Sequence, residues 1–399
     1  PPGYEPGELP SCSTPRRLIK LYSDAGPSSR ISLVAFIPVA LISIDCARGF
    51  RSKSESVRAR ARAYVCRAYE GRLPLLRLKE ASTTWSGTVV LQEVSMSKAV
   101  VYDVTGGPEV LKIEEVGTPS PGAGEALIRV DAVGINPFDD KVRSGFIPSD
   151  ASFPRRIGGD LAGTVLEVGA DAAYWDGTTI NVGDKVMGQA RGSLAERVIA
   201  PSTGLTPRPS NLPVDVAGAM NVPALTALSC LATVPVGPGD TVLVGGATGA
   251  VGMVAAQLAR QAGARVIGTA AERNFEFVRS LGVEPVKYGP SLAERVKELG
   301  DITVVMDCHG REALDAGVEL GVPVDKMVAI AGYAAVQELG VHNVEREART
   351  MKNLAKLATK VADGELVFPV VKVFPLDQVR EAFEALNAPH APGKIVVTP

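Results

Sequence analysis

Apolar positions from residue 97 onward fall into three successive rhythms. Over 97–220 they form short alternating or β-branched runs at 99–102, 125–131, 163–168, 184–187 and 195–200, separated by Gly and Pro. Period-two runs of this length predict strands, and strands without intervening helices predict a compact, irregular β barrel. Pro119 and Pro121 mark a loop, and Asn181-Val-Gly-Asp184 marks a turn into a strand. Beyond 221 the pattern changes to apolar runs interleaved with helical stretches. Strands are expected at 241–245, 266–269, 285–287, 303–306 and 327–330, and helices at 224–232, 253–260, 275–281 and 292–299. Buried strands alternating with helices predict a doubly wound parallel sheet. From 353 a helix (354–362), a strand (370–376), a second helix (379–386) and a last strand (393–397) follow. The expected molecule is an α/β protein with a barrel domain at 96–220, a parallel-sheet domain at 221–352 and a C-terminal return at 353–399.

Residues 1–95 break this regularity. They carry 11 Arg and 3 Lys against 8 Asp and Glu, a net of +6 that leaves −8 on the remainder. Their one apolar run, 31–44, is interrupted by Pro38. It is too short to span a bilayer and lies too far from the start for a signal peptide. Regular patterning begins abruptly at Ser97, so 1–95 is expected to be translated upstream sequence or a poorly structured extension, with Met96 as the true start. The overall charge of −2 points to neither nucleic acid nor membrane as a partner. Only Cys230 and Cys308 lie in the patterned part. Two cysteines so scattered in sequence make neither a disulfide framework nor a cysteine zinc site, and a reduced, cytoplasmic compartment is expected.

The stretch that carries chemistry is Thr241-Val-Leu-Val-Gly-Gly-Ala-Thr-Gly-Ala-Val-Gly252. An apolar strand ends in glycines and an Ala-rich helix begins at once. Gly246, Gly249 and Gly252 let backbone approach a pyrophosphate, and the helix start at Ala250 and Val251, beside Thr248, offers free N–H groups and a partial positive charge. This is a dinucleotide fingerprint of Rossmann type. An NAD site places Asp or Glu at the end of the second strand, about 20 residues past the glycines, for the ribose hydroxyl. Here that tip is Thr269-Ala270-Ala271, followed by Glu272, Arg273 and Asn274. The missing acid and Arg273 favour NADPH, whose 2′-phosphate an arginine would hold; Glu272 leaves NADH open.

The barrel segment resembles the medium-chain dehydrogenase/reductase superfamily. The resemblance rests on Val133-Gly-Ile-Asn-Pro-Phe-Asp-Asp-Lys-Val-Arg-Ser-Gly145, Ile157-Gly-Gly-Asp-Leu-Ala-Gly163, Val182-Gly-Asp-Lys-Val186 and Gly192-Ser-Leu-Ala-Glu196, in order and at the expected spacing. The closest branch looks like the zinc-independent quinone oxidoreductases. The resemblance implies a GroES-like barrel domain joined to a Rossmann domain, with the active site between them and dimers as the common assembly. It further implies cofactor contacts at Thr226, Tyr288, Cys308 and Ala331, the tyrosine on the phosphate of NADPH. Lys394, at the start of the last strand, either reaches the cofactor or is solvated. Zinc members carry Cys where this chain has Asn136, and Gly-His-Glu where it has Gly158-Gly-Asp160. The three histidines, His309, His342 and His390, all lie outside the first domain. Catalytic zinc needs three converging protein ligands, so no metal is expected. Asn136 is expected either to position the nicotinamide carboxamide or a substrate carbonyl, or simply to form a turn before Pro137. Cys308 and His309 resemble a nucleophile and its base, but neighbours at a strand end point apart, so no dyad is expected. The function implied is hydride transfer from NADPH to a small-molecule quinone, with an enone reductase or a non-catalytic NADPH-binding protein as alternatives.

Overall fold

The computed structural model describes residues 17–21, 91–389 and 391–399. The expectation for 1–95 falls almost wholly outside these. The part inside, β1 (Arg17–Leu21), forms a strand that the sequence pattern does not show, paired antiparallel with residues 91–95 of β2 (Leu91–Tyr102). The chain divides after Met96 into two units, and all that follows concerns the second.

Its barrel begins with β3 (Lys112–Gly117), β4 (Glu125–Gly134), α1 (Pro137–Ser144), β5 (Arg155–Arg156), β6 (Asp160–Val168), β7 (Lys185–Gln189), β8 (Arg197–Pro201) and β9 (Leu205–Pro207). After the short α2 (Val214–Ala217) the chain enters α3 (Asn221–Thr233) and the parallel-sheet domain. Its units are β10 (Thr241–Gly245), α4 (Ala250–Gln261), β11 (Arg265–Ala270), α5 (Phe275–Ser280), β12 (Glu284–Lys287), α6 (Leu292–Leu299) and β13 (Val304–Asp307). Then come α7 (Glu312–Glu319), β14 (Met327–Ala329), α8 (Tyr333–Leu339) and β15 (His342–Asn343). The return is α9 (Met351–Ala362), β16 (Val370–Pro375), α10 (Val379–Asn387) and β17 (Lys394–Thr398).

The parallel sheet runs β12-β11-β10-β13-β14-β15. Chain order reverses between β10 and β13, so a crevice opens at their carboxyl ends, where ligands bind in such sheets. Side chains alternate across a strand, and the cores show it. Val242, Val244, Val266, Val304 and Met306 pack on one face with α3, α4 and α9, while Leu243, Ile267 and Val305 pack on the other with α6 and α7. The barrel sheet runs β16-β17-β4-β6-β7-β9, with β8 also on β4. Its closing strand β17 thus lies inside the sheet, antiparallel to β4 through Val396 opposite Gly134. Among the described residues, no helix is long and apolar enough to cross a membrane.

Candidate active site

The fingerprint loop sits at the switch point. Gly246 takes φ +70°, a left-handed conformation that glycine adopts without strain. Its N–H donates to Thr269 Oγ1 at 2.8 Å, and Ala247 N–H donates to the Thr269 carbonyl at 3.1 Å. The neutral residue at the tip of β11 therefore ties the loop to the sheet, a role the sequence reading did not assign. A side chain at Gly252 would place Cβ 2.2 Å from the Gly246 carbonyl oxygen, so only glycine lets α4 start this close to the turn. Gly249 is the N-cap of α4. The N–H groups of Ala250, Val251 and Gly252 consequently have no acceptor within the helix and face the loop mouth with the positive end of the helix dipole. Thr248 is half-buried and Gly249 exposed beside them. This cradle fits a pyrophosphate.

At the tip of β11 an open pocket of about 360 Å³ is lined by Ala271, Glu272, Arg273, Lys287 and Tyr288. The structure thus brings the expected Arg273 and Tyr288 together, although 15 positions separate them in sequence. Asn274 is not among the lining residues; its N–H closes a turn on the Ala271 carbonyl at 2.8 Å. Lys287 joins the pocket without having been anticipated. Its signal was parallel pairing, which sets the end of β12 beside the end of β11, Lys287 opposite Ala270. Lys287 lies 3.3 Å from Glu272, an exposed pair that leaves the ammonium free to turn toward an anion at little cost.

Across the switch point, the buried Asp307 carboxylate accepts from the N–H groups of His309 (2.9 Å), Gly310 (2.7 Å) and Ala313 (3.1 Å), fixing the loop after β13. Cys308 N–H donates to the Gly245 carbonyl at 3.1 Å, which locks this loop to the fingerprint. The Cys308 thiol donates weakly to the Met306 carbonyl at 3.9 Å, and the neighbouring Cys230 on α3 together with burial pushes its pKa well above the usual thiol value. The two cysteines, distant in sequence, therefore meet in space as free thiols. The thiol of Cys308 is thus engaged away from His309, whose Cβ side abuts Gly246. Ala331 follows β14 in a half-buried loop held against the β13 loop, where a side chain at Gly332 would meet the Gly310 carbonyl at 2.6 Å. Thr226, on α3, commits its hydroxyl to the Val222 carbonyl at 2.6 Å.

Asn136 is the N-cap of α1, with Pro137 at the first helical position, and its N–H donates to Asp139 at 2.9 Å. It is only 4% exposed. Its amide nitrogen donates to Asp160 Oδ2 (3.1 Å) and to the Gly134 carbonyl (3.3 Å), and its oxygen accepts from Lys394 Nζ at 2.7 Å. Both donors expected to meet a ligand are thus engaged internally, and only an oxygen lone pair remains. Lys394 is equally buried, not solvated. Burial pulls its pKa down, pushes Asp160 up, and raises Asp139 to about 7. Sequence reading missed Asp139, Asp160 and Asn221 as members of this cluster; the available signal was their polarity inside otherwise apolar motifs. Among the described residues, no group of three His, Cys, Asp or Glu side chains is arranged to hold a metal.

Comparison with known proteins matches two family models, alcohol dehydrogenase GroES-like domain over residues 122–210 and zinc-binding dehydrogenase over residues 281–397. The chain is 33% identical over 316 residues to the chloroplastic NADPH-dependent alkenal/one oxidoreductase of Arabidopsis thaliana, covering 76% of this chain and 79% of that protein. It is 28% identical over 327 residues to the quinone oxidoreductase of Pongo abelii, covering 76% and 98%. A mycobacterial protein solved in complex with NADPH superposes with a TM-score of 0.67 at 29% identity, covering 76% of this chain and 100% of its own. With the barrel, the parallel sheet and the fingerprint in place, the chain belongs to the medium-chain dehydrogenase/reductase superfamily, as an oxidoreductase of its quinone oxidoreductase and alkenal reductase group.

Proposed function

We propose that the protein is an NADPH-dependent reductase that passes hydride to a quinone or similar conjugated carbonyl without zinc. The observation that carries the cofactor choice is the pocket of Arg273, Lys287 and Tyr288 beside the neutral strand end Thr269-Ala270-Ala271, where the pocket's carboxylate, Glu272, is paired with Lys287. Two cations and a phenol suit a 2′-phosphate, which a carboxylate at that tip would repel. The N–H groups of Ala250, Val251 and Gly252 hold the pyrophosphate, and the loops at Cys308 and Ala331 line the nicotinamide. The bound cofactor supplies the hydride; the protein supplies orientation and exclusion of water. Zinc independence is supported by the commitment of Asn136 to Lys394 and Asp160. Quinones suit such a site because their reduced oxygens take protons from water. An alkenal or enone acceptor is the second reading, favoured by the 33% identity to the Arabidopsis protein.

The test follows loss of reduced-cofactor absorbance with NADPH or NADH against a panel of quinones and enones, for the wild type and Arg273→Ala. Acceptor-dependent oxidation of NADPH, with a rise in its KM of about tenfold or more in the variant and little change for NADH, is the expected result. Tight NADPH binding with no acceptor turned over would leave a non-catalytic binding protein, and a preference for NADH would overturn the cofactor choice.

A further inference from the structure

Lys394 is a charged residue 4% exposed, set at the first position of β17 in the interior of the barrel sheet. Its Nζ donates to the Ile135 carbonyl at 2.6 Å and to Asn136 Oδ1 at 2.7 Å, across 258 sequence positions. The fold makes room for the stem: a Cβ at Gly134 would lie 3.1 Å from Lys394 Cε and 2.5 Å from the Ala219 Cα. A buried ammonium is costly unless its hydrogens are used, so this placement calls for a reason.

The hydrogen-bond polarity around Asn136 supplies one. The two ends of an amide are nearly the same size, and a neighbour that only donates or only accepts decides which end faces it. Lys394 only donates and therefore takes the oxygen. Asp160 presents Oδ2 as an acceptor and takes the nitrogen at 3.1 Å. The other Asp160 oxygen accepts from Val222 N–H at 3.0 Å and Asn221 Nδ2 at 3.2 Å, at the start of α3. That helix carries Thr226 and Cys230 and leads into the nucleotide-binding sheet. A single chain of bonds thus runs from the closing barrel strand through Asn136 and Asp160 to the first helix of the cofactor domain.

We propose that Lys394 is a positioning residue: it fixes the Asn136 amide on Asp160 and so sets the site end of the barrel in register with α3 and the cofactor cradle. The proposal rests on the hydride-transfer reading only for its kinetic readout. Lys394 touches neither cofactor nor acceptor in this role, in contrast to a lysine that binds the nucleotide. Removing it leaves Asn136 Oδ1 buried without a donor and lets the amide turn its nitrogen toward the vacated Ile135 carbonyl.

The experiment compares the wild type with Lys394→Met and Lys394→Arg in the full chain. For Lys394→Met, kcat for a quinone or enone acceptor falls at least about tenfold, because a misplacement near 1 Å costs about a hundredfold. The NADPH dissociation constant, read by nucleotide fluorescence, stays within about threefold, and Lys394→Arg, which keeps the donor, recovers about half or more of the lost kcat on the same reasoning. In 1H–15N spectra the Asn136 side-chain NH2 pair shifts and exchanges with solvent faster in Lys394→Met than in Lys394→Arg. An NADPH affinity lost in proportion to kcat would make Lys394 a cofactor ligand and overturn the proposal. So would an unchanged Asn136 amide signal. If Lys394→Met does not fold, Lys394→Arg decides alone: retained kcat and amide signal uphold the role, and loss of both overturns it. If the wild type turns over no acceptor, the function reading fails while the amide spectra still decide on Lys394.

Discussion

Asp139 is buried, receives the Asn136 N–H at 2.9 Å, and is packed near Asp160 and Lys394. Burial is the largest influence on it and raises its pKa to about 7; Asp160 adds to the rise and Lys394 opposes it. A carboxyl whose folded pKa exceeds its unfolded value binds its proton more tightly in the folded state. Its stabilising contribution is therefore complete below the unfolded pKa near 3.8 and is lost as pH rises through about 7. Asp139→Asn keeps an acceptor for the Asn136 N–H and removes the ionisation. The unfolding midpoint of the variant relative to wild type should rise between about pH 4 and pH 7 in urea titrations and level off above that; a difference constant over that range would show Asp139 ionised throughout. At this scale the sequence exposed chemistry one residue at a time. Asn136 stood out because it precedes Pro137 inside a recognisable motif, but its partner lies 258 positions away and on a different strand. Lys394 looks like any surface lysine until the barrel closes around it. Lys287 was invisible for a related reason, since only parallel pairing puts it next to the Arg273 turn.

At the scale of elements, periodicity located most strands and helices because alternation and helical spacing are local properties. Four helices escaped it, the four-residue α2 among them. The eight-residue α1 begins at Pro137, so its start reads as a turn, although Pro is well placed at a first helical position. Helix α7 has no side-chain N-cap bond at its own Arg311 and instead donates the Ala313 N–H to Asp307. Helix α8 has seven residues and begins after Gly332. The fingerprint element was legible in full, yet its glycines do different things, which the structure separates. A Cβ at Gly252 would sit 2.2 Å from the Gly246 carbonyl, whereas at Gly249 it would meet that oxygen only at 3.4 Å, an ordinary contact. Gly252→Ala should therefore strain the turn and destabilise the fold by about 1–3 kcal/mol. Gly249→Ala should leave the unfolding midpoint nearly unchanged and weaken NADPH at least about tenfold, because its methyl group stands in the phosphate approach. Thermal melts with NADPH titrations check both. Equal destabilisation by the two substitutions would mean that packing, not ligand approach, governs position 249.

At the scale of the whole unit, the barrel and the parallel sheet each keep a core of their own, and a further core is shared between the two domains named from the sequence. One continuous apolar core contains Ala132 of β4, Ala162 of β6, Met187 of β7 and Val396 of β17 together with Val244, Met253 and Val304 of the cofactor domain and Leu354 of the return. Sequence rhythm divides the chain near residue 220 because the strand pattern changes there, but it says nothing of which faces later pack together. Shared burial couples the stabilities, since opening either side exposes apolar surface belonging to both. The closing strand β17 strengthens the coupling: it lies between β16 and β4 and carries the buried Lys394 that reaches Asn136. The expected outcome is one cooperative opening of the unit at 97–399. In hydrogen exchange under rising urea, amides of β6 and β7 should reach the exchanging state together with those of β10 and β13. NADPH at about 100 times its dissociation constant should add about 2.7 kcal/mol to both sets alike, because a ligand that binds only the native state stabilises whatever unfolds with its site. Exchange that protects the parallel sheet and leaves the barrel amides unchanged would show that the domains open independently, and the shared core would then be too weak to transmit cofactor binding to the acceptor side of the site.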